Sequence, residues 1–301
     1  MSIPFLTIFT PVYNRKDLIM KLYESIKNQS DIDFEWLIID DGSTDGLRER
    51  IVNLQKSETR FDIRYYYQNN SGKHVAINKA LELSNGYMLL VVDSDDTLTE
   101  HCVKTIKKWE STIKSKDKYG GLSGQRGYTD SRINGKTFDG EYLDITSLQQ
   151  KENNIEGDRA EVFYLGVLKK YRFPVFENEK FLTEKVLWNQ LAHEGYKLRY
   201  FNEIIYIGNY LDDGLTKNIY KHYRQSPKGY AYSILQDIDY YNYDKSKKRA
   251  CYYHYYHDIK GSVSVKECAK NLNLSFFELT MNLLEYRFIL GMRRVKSLFI
   301  K

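Results

Sequence analysis

The 301-residue chain is 42% hydrophobic and 28% charged, with a net charge of +5; this is the make-up of a soluble globular protein with one large core and an appendage, and it excludes disordered and collagen-like classes. No apolar run approaches the roughly 20 residues needed to span a bilayer, and the start, Met1-Ser2-Ile3-Pro4, lacks the basic region of a signal peptide, so a cytoplasmic protein is expected. Three scattered cysteines, Cys102, Cys251 and Cys268, fit reduced thiols without zinc-site spacing, and the mild basic excess towards the C-terminus makes no case for nucleic acid but suits an anionic lipid or substrate.

Phe5 to Thr10 predicts a first strand, stopped by Pro11. Asn14, followed three residues later by Asp17, resembles a capping-box start for a helix carrying Leu18, Leu22, Tyr23 and Ile26. Phe34 to Ile39 predicts a second buried strand that ends in Asp40-Asp41-Gly42-Ser43, where the glycine permits a tight turn and the serine can cap the next helix. A third strand covers about Ile63 to Tyr67, and Asn69-Asn70-Ser71-Gly72-Lys73 forms a loop into a helix through Ala76, Ala80 and Leu83. Tyr87 to Val92, an apolar run between Gly86 and Asp93-Ser94-Asp95-Asp96, reads as an interior strand covered on both faces. Four strand and helix alternations with short connections imply parallel strands and right-handed crossovers. Neither G-x-G-x-x-G nor a G-x-x-x-x-G-K-[ST] phosphate loop is present.

Cys102 and Trp109 mark a further helix, and Ser111 to Lys118 a polar surface connection. Gly120-Gly121-Leu122-Ser123-Gly124 opens a more irregular segment reaching to about Gly157. Glu161 to Leu165 reads as a strand, Phe181 to His193 as a helix carrying Glu184, Leu187, Trp188 and Leu191, and Arg199 to Ile207 as the last strand of a first domain spanning 1–216. From about Lys217 strand signals stop and tyrosine, 27 in the whole chain, recurs in helix-period patches, so 217–301 is expected to be helical. Those rings suit either core packing with phenol tips in water or a substrate platform. The tail, Phe276 to Lys301, mixes Phe277, Leu283, Leu284, Phe288, Ile289, Leu290 and Leu298 with Arg287, Arg293, Arg294 and Lys296. It suits either a helix lying on an anionic membrane surface or a docked helix with a solvated basic face.

In open parallel sheets ligands bind beyond the carboxyl ends of the strands. Each early strand delivers polar groups to that edge: Tyr13 and Arg15, then Asp40 and Asp41, then Lys73, then Asp93-Ser94-Asp95-Asp96. Singly each has a structural account, such as a turn former or a solvated loop residue. Together they suit a nucleotide diphosphate, with an aromatic for the base, a carboxylate for a base N–H, cations for phosphate and clustered carboxylates for a divalent ion.

On Pro11-Val12-Tyr13-Asn14-Arg15, Ile38-Ile39-Asp40-Asp41-Gly42-Ser43-Thr44-Asp45 and Asp93-Ser94-Asp95-Asp96, in that order, the chain resembles bacterial family 2 glycosyltransferases of the GT-A fold, over roughly Ile3 to Lys217. The resemblance implies a Rossmann-like α/β/α sandwich with a mostly parallel central sheet, followed by a C-terminal helical region. It implies an inverting, metal-dependent transfer of a hexosyl group from a UDP-sugar to a hydroxyl of a glycan acceptor, with a lipid-linked glycan and an anionic membrane surface as expected partners in capsule, O-antigen or teichoic-acid synthesis. By that resemblance Pro11, Tyr13 and Asp41 hold the uracil with Arg15 nearby. Asp93 and Asp95 form the D-x-D pair for ribose, Mn²⁺ or Mg²⁺ and diphosphate, with Asp96 beginning the next helix. Val12, Lys73, Asn78 and Ser94 complete the expected donor contacts.

Glu184, in Phe181-Leu182-Thr183-Glu184-Lys185, falls where relatives carry the catalytic base, although Lys185 takes the usual second acidic position. An acid in a helix's first turn also stabilises the dipole without doing chemistry. The loop Asp212-Asp213-Gly214-Leu215-Thr216 lacks the His that many relatives use as a metal ligand, so either an aspartate there helps the metal or the loop only closes over the donor. His74 and His193 are left with structural or surface roles, and a homodimer is compatible with this reading. Two rivals are a sugar nucleotidyltransferase, which should carry a Gly-rich phosphate loop after the first strand, and a non-catalytic UDP-sugar-binding or scaffold subunit, which would keep the nucleotide motifs and lose the base.

Overall fold

The computed structural model describes residues 3–212 and 214–298, with 292–298 as backbone only. Asp213 and the side chains of Arg293, Arg294, Lys296 and Leu298, which entered the expectations for loop and tail, lie outside the described residues. The chain forms two compact units, one of residues 1–174 and 187–210, the other of 175–186 and 211–301.

The first unit opens with β1 (Leu6–Val12), α1 (Ile19–Lys27), β2 (Phe34–Asp40), α2 (Leu47–Ser57), β3 (Asp62–Tyr67), α3 (Lys73–Leu83) and β4 (Met88–Val91). There follow β5 (Thr97–Leu98), α4 (Cys102–Glu110), β6 (Tyr119–Gly127), β7 (Tyr142–Ile145), β8 (Arg159–Tyr164), α5 (Leu165–Leu168), α6 (Lys185–His193, its first two residues counted with the second unit) and β9 (Lys197–Ile207). All nine strands join one sheet of order β3-β2-β1-β4-β8-β6-β9-β5, with β7 on β9. β1 to β4 are mutually parallel as expected, but β8 enters antiparallel to both β4 and β6, so the sheet is mixed beyond β4.

Strand alternation sorts the apolar residues onto two faces. Leu6, Ile8, Trp36, Ile38, Met88 and Leu90 share a core with Ile19, Leu22 and Ile26 of α1, Leu47 and Ile51 of α2, and Val103 and Ile106 of α4. The buried face of α1 follows from the i, i+3, i+4, i+7 spacing of Ile19, Leu22, Tyr23 and Ile26. On the other face α3 packs on β1 and β2.

Two expectations fail for identifiable reasons. β1 does not stop at Pro11 but runs through it to Val12. Phe9 O accepts from Val92 N–H, so strand alternation turns Pro11 to the same side; β4's pairing ends opposite Phe9, and the missing Pro11 N–H costs no ladder bond. The Gly-rich start of the segment expected to be irregular is the nine-residue interior strand β6, with register shifts against β9; beyond it, as expected, the path to Gly157 is largely irregular apart from β7. A Cβ at Gly124 would sit 2.8 Å from both Trp109 and Ile205, so the glycine admits close packing there rather than marking a loop.

At the amino-terminal edge of the sheet, buried Glu35 accepts from Thr7 Oγ1 (2.7 Å), Asn85 N–H (2.7 Å), Asn85 Nδ2 (3.1 Å) and Arg64 Nη1 (2.9 Å). Gly86 N–H donates to the same Thr7 hydroxyl at 2.9 Å. This tie joins β1, β2 and β3 to the start of β4.

The second unit holds α7 (Ile219–Gln225), α8 (Pro227–Tyr240), α9 (Lys245–Asp258), α10 (Val265–Asn271) and α11 (Phe276–Leu298). Its core gathers Ala231, Ile234, Ile238, Tyr255, Ile259, Cys268, Leu272 and Leu279. Tyr223 and Tyr230 stack at 3.6 Å, Tyr230 donates to Asp258 Oδ2 (2.7 Å) and Tyr255 donates to Pro227 O (3.0 Å), whereas Tyr220, Tyr232 and Tyr241 are exposed. Glu179 closes the start of α8 by accepting from Lys228 N–H (2.9 Å) and Gly229 N–H (2.8 Å). On α11, Leu279 and Tyr286 are buried, whereas Phe277, Met281, Leu284 and Phe288 are exposed. Among the described residues no helix is long and apolar enough to cross a membrane.

Gly86 tests the amino-terminal tie. A Cβ there would fall on the Thr7 main-chain nitrogen and within 2.7 Å of its hydroxyl. Gly86→Ala should lower unfolding free energy by about 1–3 kcal/mol in urea titration; an unchanged midpoint would show that the edge yields freely.

Candidate active site

β1, β2 and β3 lie side by side and parallel, so the chain leaves all three at one edge of the sheet, where β4 also ends. Pro11 and Val12 are buried at the end of β1, and Tyr13 stands 50% exposed just beyond. Asn14 is in the left-handed region at φ 52°. It is no helix cap: its N–H donates to Ser43 Oγ at 2.9 Å and its Oδ1 accepts from Thr44 N–H at 2.8 Å. Ser43 is likewise taken by the turn, its N–H donating to Asp40 Oδ1 at 2.7 Å. Bonds across the two turns therefore use the groups expected at the helix starts, and α1 begins only at Ile19, without a side-chain cap.

Asp41 is buried and heavily engaged. Its Oδ1 accepts from Gln68 Nε2 (2.7 Å) and Ser71 N–H (2.8 Å), and its Oδ2 from Gly72 N–H (2.8 Å). A carboxylate offers about four acceptor positions, so Asp41 shapes the loop before α3 and retains one position for a further donor. Lys73 is the first residue of α3 rather than a loop residue, and its Nζ is ion-paired with Asp93 Oδ1. Asn78, farther along α3, bonds Phe173 main-chain O and N–H, each at 2.9 Å; it clamps that segment instead of joining the edge group. His74 is buried, with Nδ1 lacking a hydrogen-bond partner and its ring edge-on to Phe173 at 6.3 Å. Burial depresses its pKa to about 4. His193 is exposed at the end of α6.

Burial alternates through Asp93-Ser94-Asp95-Asp96: Asp93 and Asp95 are partly exposed, Ser94 and Asp96 buried. The Asp95 pKa is raised, first by burial and then by the charge of Asp93, while Arg15 and Lys73 pull it down. Arg15, Lys73, Asp93 and Asp95 thus share one electrostatic neighbourhood. Asp96 does not begin a helix; β5 follows it. Its carboxylate, 3% exposed, accepts from Arg126 Nη2 (3.1 and 3.3 Å) and from Tyr206 O–H (2.8 Å). Burial and the charge of Asp93 push its pKa up to about 7 against the pull of Arg126. Arg126, on β6, and Tyr206, on β9, had no part in the sequence reading, because β6 read as irregular and β9 only as a closing strand.

A divalent cation is implied by the family resemblance. Asp93 and Asp95 repel each other, and Lys73 already places a cationic nitrogen on Asp93. Among the described residues no group of three His, Cys, Asp or Glu could hold a metal. Two carboxylates without a third protein ligand fit an ion that takes the rest of its shell from water and phosphate, as Mg²⁺ does.

Glu184 belongs to the second unit and immediately precedes α6, outside the helix rather than in its first turn. The neighbouring Lys185 is paired with Asp237 at 2.6 Å. Asp212 is fully exposed and paired with Lys217 at 2.6 Å.

Comparison with known proteins identifies the family and the fold. The family described as Glycosyl transferase family 2 matches residues 7–178. The chain is 40% identical over 93 residues to the Bacillus subtilis glycosyltransferase TuaG, named for teichuronic acid biosynthesis, a match covering 31% of this chain and 36% of that protein. It is 28% identical over 266 residues to the GalNAc(5)-diNAcBac-PP-undecaprenol beta-1,3-glucosyltransferase of Campylobacter jejuni, covering 84% of this chain and 81% of that one. Residues 1–349 of S. aureus TarS in complex with UDP-GlcNAc align with a TM-score of 0.64 at 14% identity, over 97% of this chain and 92% of that chain. The mannosyltransferase PcManGT of Pyrobaculum calidifontis, in complex with GDP-Man and Mn²⁺, gives 0.55 at 14% identity, over 99% and 81%. The shared architecture is the GT-A fold.

His74 offers a pH test of this packing. Its folded pKa of about 4 lies below the ordinary 6.5, so the unfolded chain takes up the proton first. The stability is whole above about pH 6.5 and is lost as pH falls towards about 4, on the order of 3 kcal/mol. Urea unfolding of His74→Leu should show a shallower acid loss than the parent; parallel pH dependences would show that water reaches the imidazole.

Proposed function

We propose, from the premise that this chain belongs to glycosyltransferase family 2, that it moves a hexosyl group from a UDP-sugar to a hydroxyl of a glycan acceptor, inverting the anomeric configuration. The observation that carries the donor half is the cluster at the carboxyl edge of β1 to β4. Tyr13 is exposed for stacking, Asp41 keeps one acceptor position, and Lys73 and Arg15 stand beside the Asp93 and Asp95 pair. The solved TarS complex with UDP-GlcNAc supports a uridine donor.

In this reading Tyr13 and Asp41 orient the base, and Lys73 and Arg15 offset diphosphate charge. Asp93 and Asp95 would hold Mn²⁺ or Mg²⁺, which when bound neutralises charge on the leaving UDP. Glu184 takes the proton from the acceptor hydroxyl as that oxygen bonds to the anomeric carbon and the bond from that carbon to the diphosphate oxygen breaks. The names of the Bacillus and Campylobacter relatives support an acceptor from cell-surface polysaccharide assembly, lipid-linked in the second case. The exposed Phe277, Met281, Leu284 and Phe288 support a role for α11 at an anionic membrane surface on the cytoplasmic face.

Two measurements test the chemistry. Glu184→Gln should lower transfer by about 100- to 10,000-fold and leave UDP binding unchanged, whereas Asp95→Asn should weaken Mn²⁺-dependent UDP binding. Full activity in Glu184→Gln would remove the base from that position. For the membrane role, truncating the tail would strip Leu279 from the core, so point changes are cleaner. Phe277→Ser with Phe288→Ser should cut sedimentation with phosphatidylglycerol vesicles at least severalfold; undiminished binding would detach α11 from the lipid.

A further inference from the structure

We infer that Tyr206 is a positioning residue that holds the Asp93–Asp96 turn in the form that presents Asp93 and Asp95 together. The inference rests on the proposed donor site and adds to it a residue outside the D-x-D segment. Tyr206, the penultimate residue of β9, is buried, and its one phenol oxygen joins both ends of the turn. It accepts from Asp93 N–H at 3.0 Å and donates to Asp96 Oδ2 at 2.8 Å.

Further bonds brace the turn. Asp96 N–H donates to Asp93 O at 3.1 Å, closing the turn. Arg126 grips the Asp96 carboxylate and reaches Asp158 Oδ2 at 2.8 Å, where Tyr210 O–H also donates at 2.7 Å. Asp96 is thus buried with Ser94, while Asp93 and Asp95 are partly exposed and the charge of Asp93 bears on both Asp95 and Asp96. Turns of this kind are soft in isolation. The phenol bridge opposes the swing that would separate the two repelling carboxylates, and it acts on the main chain of one and the side-chain anchor of the other. Outer hydrogen-bond partners of this sort commonly alter metal affinity by about 10- to 100-fold.

Tyr206→Phe removes the bridging oxygen and keeps the ring. Calorimetric titration with UDP, with and without Mn²⁺, should show the Mn²⁺-dependent affinity falling about tenfold, with metal-free UDP binding unchanged within about twofold and the circular-dichroism spectrum preserved. Equal Mn²⁺-dependent affinity in a folded Tyr206→Phe would overturn the inference. Should that variant not fold, Arg126→Lys, which keeps a cation beside Asp96 but loses the fork, serves in its place; it too should lose Mn²⁺-dependent affinity, and retention would count against the positioning role. If the parent protein shows no Mn²⁺-dependent UDP binding at all, it is the donor-site reading that fails, and the inference with it.

Discussion

The carboxylate of Asp96 is the charge on which the arrangement of the carboxyl edge depends. A buried anion is tolerated only when charge and hydrogen bonds replace water, and here Arg126 and Tyr206 supply both. Meeting that requirement brings Arg126 of β6 and Tyr206 of β9 to the turn that follows β4. The same sheet is tied at its other edge by Glu35, which collects four donors from three segments. Two buried acids, one at each edge, thus constrain how the parallel strands sit. They differ in what lies beside them: Glu35 has only its own partners, whereas Asp96 has two further acids next to it in the chain.

Asp41 shows how a residue can be both scaffold and candidate ligand. With three of about four acceptor positions filled from Gln68, Ser71 and Gly72, its first effect is to fix the loop that delivers Lys73 to the start of α3. Replacing it would disturb Lys73 as well as any base contact, so a lost activity there would not distinguish the two roles. Asn14 is similar. It holds the β1 turn against the β2 turn and so sets the path of the chain around Tyr13 and Arg15.

Much of this was legible in the sequence, and the failures share a cause. The first four strands and their helices follow from apolar runs and periodicity, and the three motifs at their ends mark one edge because parallel strands share a direction. What misled was local chemistry overridden by distant partners. The Asn14 and Ser43 groups that should cap helices are consumed across turns. Pro11 stays within β1 because its missing N–H faces a side where pairing has ended. Gly124 looks like loop and is strand, since the space above it belongs to Trp109 and Ile205. Arg126 and Tyr206 lie 30 and 110 positions from Asp96, and nothing in the sequence around either shows that they meet. Asn78, grouped with the donor contacts by resemblance, has its hydrogen-bonding groups used by Phe173.

The charges at the carboxyl edge also bear on how a donor could enter. Asp96 is balanced by Arg126, Asp93 by Lys73, and Asp95 is eased by Arg15. A diphosphate arriving alone would add negative charge to a set already near neutrality and compete with Asp93 for Lys73. A divalent cation arriving alone would meet Lys73 where it should meet Asp93. In the proposed donor site, Asp93 and Asp95 would hold the cation and Lys73, released from Asp93, would face phosphate, so that the added charges would offset each other. Under the proposed function the Lys73 and Asp93 pair would favour joint entry of metal and nucleotide, and the turn carrying Asp93 would have to stay in place as its partner changed.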